Sequence, residues 1–400
     1  MSDITLTYNG ATIATMDASG TKTLGTAGKY CTDDITLTYV KSGGGITAAP
    51  SKDVNFIDYD GTILYSYTAA EFAALTALPQ NPTHDGLTAQ GWNWTLADAK
   101  AQVLVSGILD IGQMYVTSDG KSRIYITISD SARMSPRVQW NQTVANGVTI
   151  DWGDGSATET SSGTGNKSRK HTYSSVGEYV ITLSVTSGTA TLGWSSTSGT
   201  VVYGAKAANL YRRRIDKIEV GARITGIGYI YDTYGIKTIT IPKTVTTGYF
   251  YSCTSLVALV VPDVVTTFFG VRMCYALQVV SIPKSCTTYN PYAFAYSYAL
   301  RRISLPSLGA VPAAMFPSNY SLSRMVVPSS VTSIAASSFS NCTGLAEIHF
   351  KPTTPPTVAD SNAWTNLPTD CKIYVPTGKL SAYTGAGNYP DPNTYTYVEE

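Results

Sequence analysis

The chain has 400 residues, with 28 Lys and Arg against 27 Asp and Glu, a formal net charge of +1 and only 14 % charged residues. So even a balance carries no electrostatic footprint for nucleic acid or an anionic membrane surface, and no apolar run is long enough to span a bilayer. The expectation is therefore a chain of two to four domains with ample core, no nucleic-acid partner and no membrane insertion.

Residues 1 to 41 read as a small β-domain. Ile4-Thr5-Leu6-Thr7-Tyr8 recurs as Ile35-Thr36-Leu37-Thr38-Tyr39, and Asn9-Gly10, Ser19-Gly20 and Ala27-Gly28 are turn signals between such runs. The unit resembles short N-terminal β-domains of phage tail and other structural proteins, which implies attachment to other virion or tail proteins. The N-terminus lacks the basic and apolar segments of a secretory signal, so Sec export is not expected. A linker over 42 to 49, including Ser42-Gly43-Gly44-Gly45, precedes a mixed α/β adaptor over 50 to 135. There Thr68-Ala69-Ala70-Glu71 is a capping box opening a helix to Leu78, stopped by Pro79, and Thr95-Leu96-Ala97-Asp98 opens a second ending near Gly107. Strands are expected at 113 to 116 and 122 to 129, and Trp92 and Trp94 read as packing anchors in preference to a sugar platform.

Over 136 to 200 come Val148-Thr149-Ile150-Asp151-Trp152-Gly153-Asp154-Gly155-Ser156, then His171-Thr172-Tyr173, then Gly177-Glu178-Tyr179-Val180-Ile181-Thr182-Leu183. That order resembles the polycystic-kidney-disease-type (PKD) β-sandwich, which implies a spacer. Beside Gly153 and Gly155, the carboxylates Asp151 and Asp154 fit turn formers better than a calcium site or an acid–base pair.

The C-terminal half repeats every 20 to 25 residues: Ile215…Ile218, Val220; Ile236…Ile239, Ile241; Leu256…Leu259, Val261; Leu277…Val280, Ile282; Leu300…Ile303, Leu305; Leu322…Met325, Val327; Leu345…Ile348, Phe350. A period of this length predicts a solenoid with one short strand per coil, and a proline after most strands ends the pairing. Six residues before the leading residue stands a filler, Ile230, Phe250, Val271, Phe294, Phe316 or Phe339. Three before it stands Thr233, Cys253, Cys274, Ser297, Asn319 or Cys342, suited to a ladder bonding the turn backbone. Ile373, Val375 and Pro376 form a capping coil with Asp370 in the leucine slot, and Arg212, Arg213 and Arg214 lie at the solenoid's entrance. The stretch Val327-Pro328-Ser329-Ser330-Val331-Thr332-Ser333-Ile334, followed by Phe339-Ser340-Asn341-Cys342-Thr343-Gly344-Leu345, resembles the BspA-type leucine-rich repeat. The resemblance covers 205 to 390 and implies a surface or extracellular binding module of bacteria and their phages.

Tyrosine occupies the variable slots. Tyr229, Tyr231, Tyr234, Tyr249, Tyr251, Tyr275, Tyr296, Tyr298 and Tyr320 are the candidate ligand-binding residues, because a tyrosine gives a large amphipathic contact for two torsions frozen. A stacked structural ladder of Tyr234, Tyr275, Tyr298 and Tyr320 is the competing reading. The three histidines, His84, His171 and His349, fall in different units, and no nucleophile elbow, phosphate loop or zinc motif appears. No catalytic residue, metal or cofactor is expected. Cys253, Cys274 and Cys342 read as structural, Cys31, Cys286 and Cys371 as free thiols, and no disulfide is implied. The reading is a mainly β, multidomain, non-enzymatic phage tail structural or receptor-binding protein. Its expected partner is a bacterial surface receptor, protein or glycan, and homo-oligomerisation stays open. A bacterial surface adhesin and a tail-associated glycan hydrolase are the alternatives.

Overall fold

The computed structural model describes residues 52–129, 131, 134–193, 215–306 and 308–400, together with the backbone of strands within 4–39 and at 202–203. The linker at 42–49, Cys31 and Arg212, Arg213 and Arg214 lie outside the described residues. The chain divides into two compact units, Met1–Lys52 and Asp53–Glu400. In the first, Ile4–Tyr8 pairs antiparallel with Ala11–Met16, and Gly20–Thr23 with Thr36–Tyr39. The expected turn at Asn9-Gly10 lies outside the described residues.

The second unit begins with an α/β layer. Val54–Ile57 lies between Ile63–Tyr67 (antiparallel) and Leu109–Thr117 (parallel), and Leu87–Trp92 closes the other edge. Its helix Ala69–Ala74 starts at a reciprocal capping box: the Glu71 amide donates to Thr68 Oγ1 at 3.2 Å and the Thr68 amide to Glu71 Oε2 at 2.8 Å. It ends four residues before the expected Leu78. Leu75 is already extended, and its carbonyl accepts from Lys100 Nζ at 2.7 Å. Leu96–Ser106 runs as expected to Gly107, whose φ of 68° supplies the left-handed cap.

Two sheets form the sandwich. One orders Gly165–Lys170, Arg137–Gln142 and Ala190–Leu192 side by side, with Val202–Tyr203 also pairing Arg137–Gln142; the other orders Glu159–Thr160, Val148–Asp151 and Gly177–Val185. Neither stops at the sandwich. Gly177–Val185 pairs with Ser122–Ile128, which pairs in turn with Ile215–Glu219, the first solenoid strand. On the other side Ala190–Leu192 pairs parallel with Ile224–Ile227. The pairing thus runs across residues 135 and 205, and Trp140, Trp152, Ile218 and Ile236 belong to one apolar core with the leucine row.

In the solenoid the leading residues Ile236, Leu256, Leu277, Leu300, Leu322 and Leu345 are all fully buried in that core. Parallel ladders join Ile215–Glu219 to Thr238–Thr240, and Ala258–Val260 to Val279–Ser281. A third joins Arg324–Val327, Glu347–Phe350, Lys372–Val375 and Thr396–Glu399 in sequence. The leading strand recurs in each coil except at 301–305, where no strand forms, but the expectation of one strand per coil falls short: Ile230–Tyr231, Phe250–Tyr251 and Val271–Arg272 make a second parallel ladder, and Ala310–Val311, Ser333–Ile334 and Thr357–Val358 another. Ile303 and Leu305 are buried there as in other coils, while Arg302 and Ser304 bond to Asp110 and Gln102 of the α/β layer. The Lys372–Val375 strand is not the last, since Thr396–Glu399 adds one beyond it. The capping coil keeps the register: Trp364, six before Asp370, stacks on Phe339 at 5.2 Å and 5°. A row Phe294, Phe316, Phe339, Trp364 thus runs at 5.0, 5.6 and 5.2 Å.

Candidate recognition surface

The turns opposite the strands are built by one repeated device. The residue before each polar slot, Asp232, Ser252, Met273, Tyr296, Ser318 or Asn341, has φ between 53 and 60°. Such left-handed backbone costs a non-glycine residue energy, so the surroundings must hold it. The slot residue does so by bonding to the carbonyl of the filler one coil back. Cys253 Sγ donates to Ile230 O at 3.4 Å and Ser297 Oγ to Val271 O at 2.7 Å. Asn319 Nδ2 donates to Phe294 O at 2.9 Å and Cys342 Sγ to Phe316 O at 3.1 Å. Thr233, in the first of these turns, reaches Tyr231 O of its own turn at 3.4 Å. The ladder expected at these positions therefore ties coil to coil.

Six copies of the family model described as "BspA type Leucine rich repeat region" match over residues 226–346 and 271–366. Over these residues the coils match the BspA-type leucine-rich repeat. Among solved structures the chain is similar to a T. pallidum leucine-rich repeat protein, at 22 % identity over 46 % of this chain and 91 % of that one, with a TM-score of 0.28. It is also similar to a leucine-rich repeat protein from Bacteroides ovatus (16 %, 54 % and 71 %, TM-score 0.25) and to a leucine rich cell surface protein from Faecalibacterium prausnitzii (16 %, 51 % and 94 %, TM-score 0.19). A comparison with the curated proteins finds no match.

On the BspA-type coils the candidate tyrosines fall into rows. Tyr275, Tyr298 and Tyr320 stack with centroids 4.6 and 4.9 Å apart. Tyr231 stacks on Tyr251 at 4.7 Å and 6°, and beside them Tyr229 meets Tyr249 at 5.0 Å and 60°. Tyr234 is half-buried and does not join the Tyr275 stack, because Thr254 occupies the intervening coil, its hydroxyl reaching the Tyr234 carbonyl at 3.4 Å. Tyr296 sits at φ 60° with its amide bonded to Pro317 O at 2.9 Å. Tyr320, at the end of its stack, is 46 % exposed. The ladder is thus real for three rings, and stacking leaves their edges and hydroxyls as the surface they offer. Burial and then the neighbouring hydroxyls raise the Tyr298 pKa. Two members of this face were not singled out from the sequence, Arg272 and Tyr292. Arg272 stands in the slot that Tyr231 and Tyr251 fill but is not a tyrosine, Tyr292 stands outside the tyrosine slots, and only the fold brings the two together.

The strand face is closed by the α/β layer. The outward strand residues Glu219, Thr240, Val260, Ser281, Ser304 and Val326 are all buried. Asn93 Nδ2 donates to Val261 O at 2.9 Å and to Ser281 O at 3.3 Å, while its Oδ1 accepts the Gly112 amide at 2.9 Å. Trp94 Nε1 donates to Ile282 O at 3.0 Å, Ser281 Oγ to Asp110 O at 2.7 Å, and Arg302 pairs with Asp110. Trp94 is an anchor of this contact, whereas Trp92 packs on Phe56 in the α/β layer's own core and donates its Nε1 to Pro79 O at 2.8 Å. A groove of about 540 Å³ remains at the edge of the contact, lined by Trp92, Trp94 and Pro283 as well as by the ion pairs Lys243–Asp263 (3.1 Å) and Lys284–Asp98 (2.5 Å).

The acid, base and thiol groups do structural work. Asp151 Oδ1 accepts the Gly153 amide at 2.9 Å and Asp154 Oδ1 the Ser156 amide at 3.1 Å, as turn formers. Hydrogen bonding from Ser156, and then from His171 at 2.6 Å, outweighs burial and holds the Asp154 carboxyl at about 2. His349 lies between Glu347 and Glu400 on the strand face, stacked on Tyr374 at 4.3 Å. Among the described residues Cys253, Cys274, Cys286, Cys342 and Cys371 are free and buried, and burial pushes the thiols of Cys286, Cys342 and Cys371 up to about 12.

Proposed function

We propose that this chain is a non-enzymatic recognition protein that binds a bacterial cell-surface ligand through the tyrosine-bearing turns of its BspA-type solenoid. The observation that carries this reading is the division of the solenoid's two faces. The strand face is occupied by the chain's own α/β layer, whereas the turn face keeps rows of aromatic rings open to solvent. Rigid aromatic edges on a fixed backbone lose little entropy on binding, which suits recognition. In this reading the protein is carried on a phage tail, with residues 1 to 41 attaching it to other virion proteins and the PKD-like sandwich acting as a spacer. Display on a bacterial surface is the second setting, favoured by the BspA-type repeat itself.

Fluorescently labelled full-length protein titrated onto panels of bacterial cells tests the reading. Saturable binding to some strains is expected, weakened by about 1 to 4 kcal/mol in the Tyr296→Ala, Tyr320→Ala double variant, which leaves the Tyr275–Tyr298 stack in place. Wild-type protein that binds no strain, or a folded double variant that binds as wild type, overturns it. Location of the chain in electron micrographs of phage particles, or its absence there, decides the carrier.

A further inference from the structure

Arg272 stands in the slot that Tyr251 fills one coil earlier and Tyr231 two coils earlier. Its guanidinium lies 5.4 Å from the Tyr251 ring centroid and 4.7 Å from that of Tyr292, so it continues the Tyr231–Tyr251 stack and is closed by a further ring. Cation–π contact on both faces fixes the plane of the group and leaves its edge as the part that can still bond. Among the described residues no carboxylate lies within ion-pair distance of it, and its buried Nε has no hydrogen-bond partner. The missing carboxylate sets it apart from Arg123, Arg302 and Arg324, which face Asp119, Asp110 and Glu347. A half-buried guanidinium held in one orientation without an acceptor is a costly arrangement for stability alone. It is complementary to a planar or tetrahedral anion delivered from outside, which takes two parallel N–H bonds from the fork.

We propose that the Tyr251–Arg272–Tyr292 clamp is a subsite for the acid group of an anionic polysaccharide. This rests on the recognition reading above and names the class of its ligand. The acid group pairs with the Arg272 fork, and the sugar rings that carry it lie against the aromatic surface alongside: Tyr292, 45 % exposed, and the edges of Tyr229, Tyr249 and Tyr251. A polysaccharide fits better than an acidic peptide because the site offers one cation among rings and hydroxyls, where a run of carboxylates would meet a single partner.

Binding of the full-length protein to immobilised polygalacturonate (carboxylate), phosphomannan (phosphate), neutral dextran and poly-glutamate tests the proposal at low and high salt. Binding to polygalacturonate or phosphomannan is expected, and which of the two is tighter tells carboxylate from phosphate. That binding should weaken with salt and drop at least about tenfold in Arg272→Gln, with Arg272→Lys in between because lysine keeps the charge but lacks the fork. Thermal melts establish that each variant is folded, and Arg272→Lys carries the comparison if Arg272→Gln does not fold. Equal binding by folded variants, equal or tighter binding of dextran or poly-glutamate, or no binding to either acidic polysaccharide overturns the proposal. Its failure is distinct from failure of the recognition reading. Cells bound equally by wild type and Arg272→Gln sink the clamp alone, whereas cells left unbound by wild type sink both.

Discussion

At the scale of single residues, the slot three before each leading residue shows how different side chains answer one requirement. The position must supply a donor to a carbonyl of the coil behind, and cysteine, serine and asparagine each do so with the reach they have. Asn319 is fully buried and bonds two carbonyls, Phe294 O and Phe316 O, while its own Oδ1 is left without a partner. Asn319→Ala should therefore cost about 2 to 3 kcal/mol, since two acceptors lose their donor in a site water does not reach. Asn319→Cys should cost about half of that, because it restores a donor already used at Cys342 and removes the orphan oxygen. Urea unfolding of the two variants checks the order, and equal losses would show that the slot is filled for volume alone.

At the scale of elements, what the sequence disclosed depended on whether the constraint was local. The capping box at Thr68 and the glycine stop at Gly107 are chemistry within a few residues, and each is where the local rule puts it. The solenoid coils were legible because the same local pattern recurs, and even Trp364 falls in the slot that the phenylalanines occupy. The strands Val54–Ile57 and Ile63–Tyr67 were missed, as was the closure of the strand face, because both depend on partners far along the chain. A signal did exist: Thr240, Val260, Ser281, Ser304 and Val326 are small and uncharged at outward strand positions where an open face would carry charges. The closest approach is at Gly112, where a Cβ would come within 2.5 Å of Val260 Cγ1 and 2.6 Å of its Cγ2. Gly112→Ala should destabilise the protein by about 1 to 3 kcal/mol through overpacking. Val260→Ala should lose about 1 to 2 kcal/mol of burial, and the double variant should be more stable than the sum of the two losses predicts. Additive losses in a thermal-melt cycle would mean that the layer does not press on this coil as the structure has it.

At the scale of the whole molecule, a solenoid has two raw ends, and here each is covered by a different solution. At the start, the sandwich sheets continue into the first coils through Ser122–Ile128 on one side and Ala190–Leu192 on the other, so its core and the solenoid's are one. At the finish, Thr396–Glu399 adds a last strand and Trp364, Tyr383 and Tyr389 close the aromatic row. The sandwich was legible from its own motif, but its pairing with the solenoid was not, since each partner strand reads correctly as a strand of its own unit. A repeat array without caps exposes the apolar face of its terminal coil and loses cooperativity from that end. The 53–400 unit should accordingly unfold in one transition, with fluorescence of Trp140 and Trp152 in the sandwich and far-ultraviolet circular dichroism, dominated by the solenoid, giving the same midpoint. A substitution that opens the junction, Ile218→Asn in the first solenoid strand, puts an unpaired amide into the shared core. It should lower both midpoints together by several degrees, since about 1 kcal/mol shifts the melting temperature of a chain this long by only a few degrees. Two separate transitions in the wild type, or a sandwich midpoint that does not move in Ile218→Asn, would mean that the sandwich is an independent domain and that the cap must be sought within the coils.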